Sequence, residues 1–152
     1  MIVGIQNEIE RLGKLELSTG YLKNFKSIRI GDYQQVPTQD HPALTIEWSE
    51  RMALTDTNNH LDVTFEFDLC VYCTEPSNPK NANFKLQHLI WGLSATEASH
   101  GVIPWILNLQ KIRIYDKYTF MLSPRLGSVT VENKSGVFVP VAIIHLEAIS
   151  ML

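Results

Sequence analysis

Little in this chain belongs to a catalytic or metal-binding signature. Its 152 residues hold two cysteines and contain no G-x-S-x-G elbow, no G-x-x-x-x-G-K-[ST] loop, no G-x-G-x-x-G and no H-E-x-x-H or H-x-x-E-H pair. The usual nucleophile, phosphate and zinc sites therefore have no local signature. An excess of one charge is missing too: the formal net charge is -3, with both signs scattered. That argues against a protein that grips nucleic acid by neutralising many phosphates. No apolar run approaches the roughly 20 residues that cross a bilayer as a helix. Met1 to Leu12 has neither the basic start nor the apolar stretch of a secretory signal. The expectation is a protein made and folded in a cytosol, without a membrane partner. At 45% hydrophobic and 19% charged, the chain suits one domain, 1–152, around a single core.

The clearest pattern present is LDVTFEFDLCVYC, Leu61 to Cys73. Leu61, Val63, Phe65, Phe67, Leu69, Val71 and Cys73 share one register, and Asp62, Thr64, Glu66 and Asp68 share the other, so one face of a strand meets a core and the second needs a partner or water. The C-x-x-C of Cys70 and Cys73 invites a redox or zinc reading. An odd offset puts the two thiols on opposite faces of a strand, where they cannot chelate one ion or form an unstrained disulfide. A second cysteine pair or a spaced histidine pair, required for structural zinc, is missing. Two reduced strand cysteines are expected, with no metal and no cofactor.

Along the chain, Ile2, Ile5, Ile9 and Leu12 recur at helical spacing, with Gly13 placed to end a short amphipathic helix. Tyr21 to Ile30 reads as strand-like, Gly31 to Pro42 as a long polar loop, Pro42 to Trp48 as a strand, and Ser49 to His60 as a second polar connection. A long helix starts at Asn78 as N-cap with Pro79 in the first position. Leu86, Leu89, Ile90 and Leu93 form its apolar stripe, with Phe84, His88 and Trp91 on an adjoining stripe expected to be buried as well. Gly101 and Pro104 punctuate its end. Lys111 to Tyr115 and Ser128 to Glu132 read as short strands separated by Ser123, Pro124 and Gly127, and Asn133 to Gly136 as a turn. The last strand, Val137 to Ile149, is apolar in both registers, as in a central strand or one that adds a subunit contact. Pro140 removes a ladder donor and points to an edge or bulge there. The predicted class is α+β: a mostly antiparallel sheet with one long and one short helix packed on one face.

Candidate chemistry is sparse. His41, His60, His88, His100 and His145 are dispersed, and the plain reading is exposed loop histidines. Asp56 to Asp62, DTNNHLD, imitates the start of a calcium loop but lacks its glycine, and Phe67 stands where a bidentate glutamate is due. It reads as a solvated turn. Glu66 and Asp68 share a face and could mimic a carboxylate dyad, but on an open strand a solvated polar face is easily the better reading.

The order of elements carries a resemblance. The N-terminal amphipathic helix, the proline-entered strand HPALTIEW, the alternating strand LDVTFEFDLCVYC, the helix NPKNANFKLQHLIWGL and the closing strand GVFVPVAIIHLEAI together resemble bacteriophage tail terminator, or tail-completion, proteins. The similarity is one of pattern and size over most of the chain, weakest from Gly101 to Ser128. It implies a structural virion protein, phage- or prophage-encoded and without catalytic residues, assembled in the bacterial cytoplasm and resident in the tail. Its subunits form a homo-oligomeric ring, commonly of six, that caps the tail tube, stops polymerisation and offers a surface to the head-proximal connector. The partners implied are other copies of the chain, the tail tube protein and the connector, with DNA only in transit.

Within that reading Asp62, Glu66 and Asp68 are expected to face the lumen, where like charge keeps DNA from sticking. Val137, Phe138, Val139 and Val141 are expected at the subunit interface. The loops Gly31 to Pro42 and Ser49 to His60 are expected to grip the last tube ring and to order on docking. Three rivals remain: another phage neck or tail assembly protein such as a head-tail connector or minor tail subunit, a small enzyme with a dispersed site such as His60, Asp62 and His41, and a monomeric ligand-binding module.

Overall fold

The computed structural model describes residues 2–47, 51–57, 60–75, 78–92, 100–109, 111–114, 118–134 and 137–150. Its elements are α1 (Ile2–Leu15), β1 (Ser27–Ile30), β2 (Ala43–Ile46), β3 (Arg51–Thr57), β4 (His60–Tyr72), α2 (Pro79–Trp91), α3 (Val102–Asn108), β5 (Lys111–Ile114), β6 (Tyr118–Lys134) and β7 (Val137–Ser150). The strands make one sheet in the order β1-β2-β4-β7-β6-β5, with β3 also paired to β4. Among the described residues only β1 and β2 run parallel; the other pairings are antiparallel. The fold is α+β.

The alternation in β4 works as a two-sided ruler. Phe65, Phe67, Leu69, Val71 and the following Cys73 join Leu44 and Ile46 of β2 and Ala142, Ile144, Leu146 and Ala148 of β7 in the main core. That core is closed by Ile5 and Ile9 of α1, Leu86, Leu89 and Ile90 of α2, and Val102, Ile103, Trp105 and Ile106 of α3, so all three helices cover the same face. Asn78 caps α2 as its sequence predicts, its side chain accepting from the Asn81 N–H at 2.8 Å, with Pro79 next. Leu93, assigned to the same stripe, lies outside the described residues, as does Trp48.

Several local expectations are corrected. Gly13 does not end α1, which continues to Leu15. It is buried, and a Cβ there would strike Ile28 Cδ1 and the Trp105 ring, so its role is to let the helix close on β1 and α3. Gly13→Val should cost about 1–3 kcal/mol by overpacking, read as a lower urea midpoint at an unchanged m-value. Gly101 and Pro104 do not punctuate α2; they open α3. Gly101 is its N-cap at φ +120°, and Pro104 sits in the first turn, where a missing N–H has no intrahelical partner to lose. Tyr21 to Ile30 is strand only over Ser27–Ile30.

Ser49 to His60 is not a plain connection either, because Arg51–Thr57 pairs with β4 as a hairpin closing at Thr57↔His60. The β4–β7 pairing begins at Thr64↔Ile149, so the tip of this hairpin projects past the end of β7. Ser123, Pro124 and Gly127 lie inside β6, paired to β7, with a register shift between Leu126 and Val129. Beyond its short pairing with β5, β6 is an edge, which tolerates a proline, and the glycine falls at the bulge. Pro140 lies between two neighbours, β4 and β6, not at the sheet edge. It interrupts the β4 ladder instead: Cys73 N donates to Pro140 O at 3.4 Å, proline returns no bond, and the next link is the bridge Glu75↔Phe138.

Candidate functional site

The second face of the sheet is divided in two. Over Cys70, Tyr72, Val139 and Val141 it is roofed by the segment Gly31 to Pro42, which folds into two 3-10 turns, Tyr33–Gln35 and Thr38–Asp40. This loop is tied down, contrary to the expectation that it orders only on docking. Tyr33 N–H donates to Glu47 Oε1 at 3.0 Å, Tyr33 Oη donates to Glu132 Oε1 at 2.9 Å, Ser27 Oγ donates to the Asp40 carbonyl, and Arg29 pairs with Asp40 at 3.0 Å. Val36 is buried beneath it. His41 is buried too, its Nδ1 3.0 Å from Thr74 Oγ1, so it is not an exposed loop histidine.

Glu47 anchors this roof at an electrostatic cost. Burial raises its pKa, only partly opposed by the N–H of Tyr33. A carboxyl whose folded pKa exceeds its unfolded one contributes stability that is present below the unfolded value and is lost as pH rises through the folded value. Stability should therefore increase on acidification just above the ordinary carboxylate range. Glu47→Gln keeps an acceptor for Tyr33 N–H and should flatten that dependence in pH-dependent urea melts, with a gain below about 1 kcal/mol at neutral pH because the group is partly solvated.

The remainder of the second face is open. Glu66, Asp68, Arg125, His145 and Glu147 line a shallow depression of about 230 Å³. Cross-strand register aligns Asp68, His145 and Arg125 in one row and Glu66, Glu147 and Ser123 in the next. His145 Nδ1 lies 2.6 Å from Asp68 Oδ1. Gly127 leaves room for this histidine, since a Cβ there would approach His145 Nε2 to 2.6 Å. Glu66 stands between Glu147 of β7 and Arg51 of β3 in the same cross-strand row, so the like-charge neighbour is offset by an opposite one. Glu147→Gln should therefore shift stability by no more than about 0.5 kcal/mol in a thermal melt.

Of the sequence-selected residues, Glu66 and Asp68 thus meet on this open face. Asp62 is in the same register of β4, opposite Thr55 in the projecting hairpin, and its side chain lies outside the described residues. Val139 and Val141 are buried under the roof, so they offer little surface to a neighbour, whereas Val137 and Phe138 are half-buried. His41 packs on Tyr72 while His60 begins β4 twelve residues earlier, roughly 40 Å along a strand; these two cannot share a site. Arg125 and Glu147 were not singled out by pattern, and His145, read as an exposed loop histidine, lies instead inside β7 against Asp68. The signal was the odd register of the last strand turning polar after Ile143. Among the described residues no three His, Cys, Asp or Glu side chains gather as a metal site. Cys70 and Cys73 lie on opposite faces, both buried, and burial pushes both thiols up, Cys73 to about 11. Such thiols are poor nucleophiles.

Apolar side chains stand exposed at both flanks of the sheet. Met52 and Leu54 of β3, opposite Phe65 and Val63, are 53% and 56% exposed, and Leu126, Val129 and Val131 of β6, opposite Ile144, Ala142 and Pro140, are 37–40% exposed. Both rows continue the helix-covered face. Phe84 and Trp91 of α2 are exposed as well, so the adjoining stripe of that helix is not buried within the chain. A scan against models of known protein families and a search of curated proteins both return no match.

Proposed function

We propose that this chain is a ring-forming structural subunit of the tail-terminator kind, which caps a phage tail tube and presents a surface for head attachment. The observation that carries the reading is a pair of sheet flanks with no neighbouring strand among the described residues, β3 and the part of β6 beyond its pairing with β5, each bearing an exposed apolar row on the same side of the sheet. Free edges with apolar side chains invite pairing with another chain. Because the two rows differ and lie on opposite flanks, their union is head-to-tail, and a head-to-tail contact whose rotation closes gives a ring.

Edge-to-edge union would turn the sheet into a continuous wall with the helices on one surface. Its other surface would bring Glu66, Asp68 and Glu147 toward the bore, where like charge weakens contact with passing DNA. The β3–β4 hairpin, projecting past the sheet, is the element placed to reach the tube or the connector. The reading is tested by light scattering after size exclusion at two concentrations, together with tail length in an assembly reaction. A mass near six subunits and tails of uniform length are expected. A strict monomer that leaves tail length unregulated overturns it.

A further inference from the structure

Between the roof and the sheet is a slot of about 440 Å³ whose walls are Tyr33, Val36, His41, Tyr72, Val137 and Val139. Its volume is in the range of ligand pockets. The rings stand at steep angles to one another: His41 is perpendicular to Tyr72 at 4.8 Å between centroids, and Tyr33 is tilted 56° from Tyr72 at 5.5 Å. Three carboxylates bond the backbone or hydroxyl of the same roof: Asp32 accepts from Gln34 N–H, Glu47 from Tyr33 N–H and Glu132 from the Tyr33 hydroxyl. Of the nearby cations, Arg29 pairs with Asp40, and Lys85 Nζ donates to the carbonyl of the lining residue Thr74 at 3.3 Å, which leaves the carboxylates in excess. Aromatic walls in a field of net negative charge match an organic cation.

We propose that this slot binds an alkylguanidinium or alkylammonium group, as carried by an arginine or lysine side chain of a partner or by a free small cation. Tyr33, His41 and Tyr72 supply the aromatic walls, and Glu132, acting through the Tyr33 hydroxyl, supplies the charge at the rim. The site is complete within one chain, so it stands whether or not the ring does.

The test is a titration of the full chain followed by aromatic NMR shifts, using acetyl-Gly-Arg-Gly-amide, agmatine and the neutral acetyl-Gly-citrulline-Gly-amide. Both cations should move the Tyr33, His41 and Tyr72 signals, with a dissociation constant on the order of 1 mM, and the citrulline peptide should bind at least tenfold more weakly. Glu132→Gln, which keeps an acceptor for the Tyr33 hydroxyl, should weaken the cations about fivefold and leave the citrulline peptide unchanged. Tyr33→Leu, monitored for an intact fold by circular dichroism, should weaken them further. Tighter binding of the arginine peptide than of agmatine assigns the slot to a partner's side chain, and the reverse assigns it to a small molecule. Equal binding of citrulline and arginine peptides, no shifts at the three rings, or a Glu132→Gln variant with unaltered cation affinity overturns the proposal.

Discussion

Replacing Trp105 by alanine should cost about 3–5 kcal/mol, most of the margin of an ordinary domain. Trp105 is among the largest fully buried side chains, and α3 holds it against both α1 and the sheet. Its ring closes the space that Gly13 leaves open, so truncation creates a cavity between two helices and β1 that a neighbouring side chain cannot refill without moving a helix. Urea titration by circular dichroism reads the loss. Trp105→Phe should cost under about 2 kcal/mol, because most of the ring volume stays and the indole N–H has no partner among the described residues to be stranded. Equal losses in the two variants would locate the effect outside packing.

That helix is also where the sequence was least legible. VIPWILN is apolar up to its final asparagine, seven residues is too short to show a period, and Gly101 with Pro104 reads as punctuation unless the proline is recognised as a first-turn residue. The main strand was legible because one face is core from Phe65 to Val71, and the alternation that this imposes continues in the sequence back to Leu61. The β3 segment was hidden for the opposite reason. Its polar positions and exposed Met52 and Leu54 look like connection, and only pairing with β4 makes them a strand. Pro124 and Gly127 misled in the same way, since an edge strand with a bulge accepts residues that a central one rejects.

The candidate site divides along similar lines. Glu66 and Asp68 could be placed on one face from spacing alone. Their partners His145 and Arg125 come from strands about 60 to 80 residues further on and required the register of β7 and β6. The aromatic slot depended on a long loop lying back over the sheet. Composition identified that loop as irregular, but the bonds that pin Tyr33 between Glu47 and Glu132 span 14 and 99 residues and leave no local mark.

Lysines at positions 129 and 131 should abolish self-association while leaving the subunit folded. Val129 and Val131 are about 40% exposed on an edge strand, so the double variant Val129→Lys with Val131→Lys disturbs the monomer by no more than about 1 kcal/mol. A stable interface buries on the order of 1,200–2,000 Å², and placing two charges in its apolar row blocks edge pairing as edge lysines do in sheets generally. Met52→Glu with Leu54→Glu should have the same effect from the other flank. Mixing the two variants separates the geometries. In a head-to-tail contact each variant keeps one competent flank, so the mixture should give one-to-one dimers by light scattering and no larger species. In a two-fold contact of β6 with β6, the Met52/Leu54 variant would self-associate unaided and mixing would add nothing, an outcome that would remove the ring and with it the proposed role at the tail.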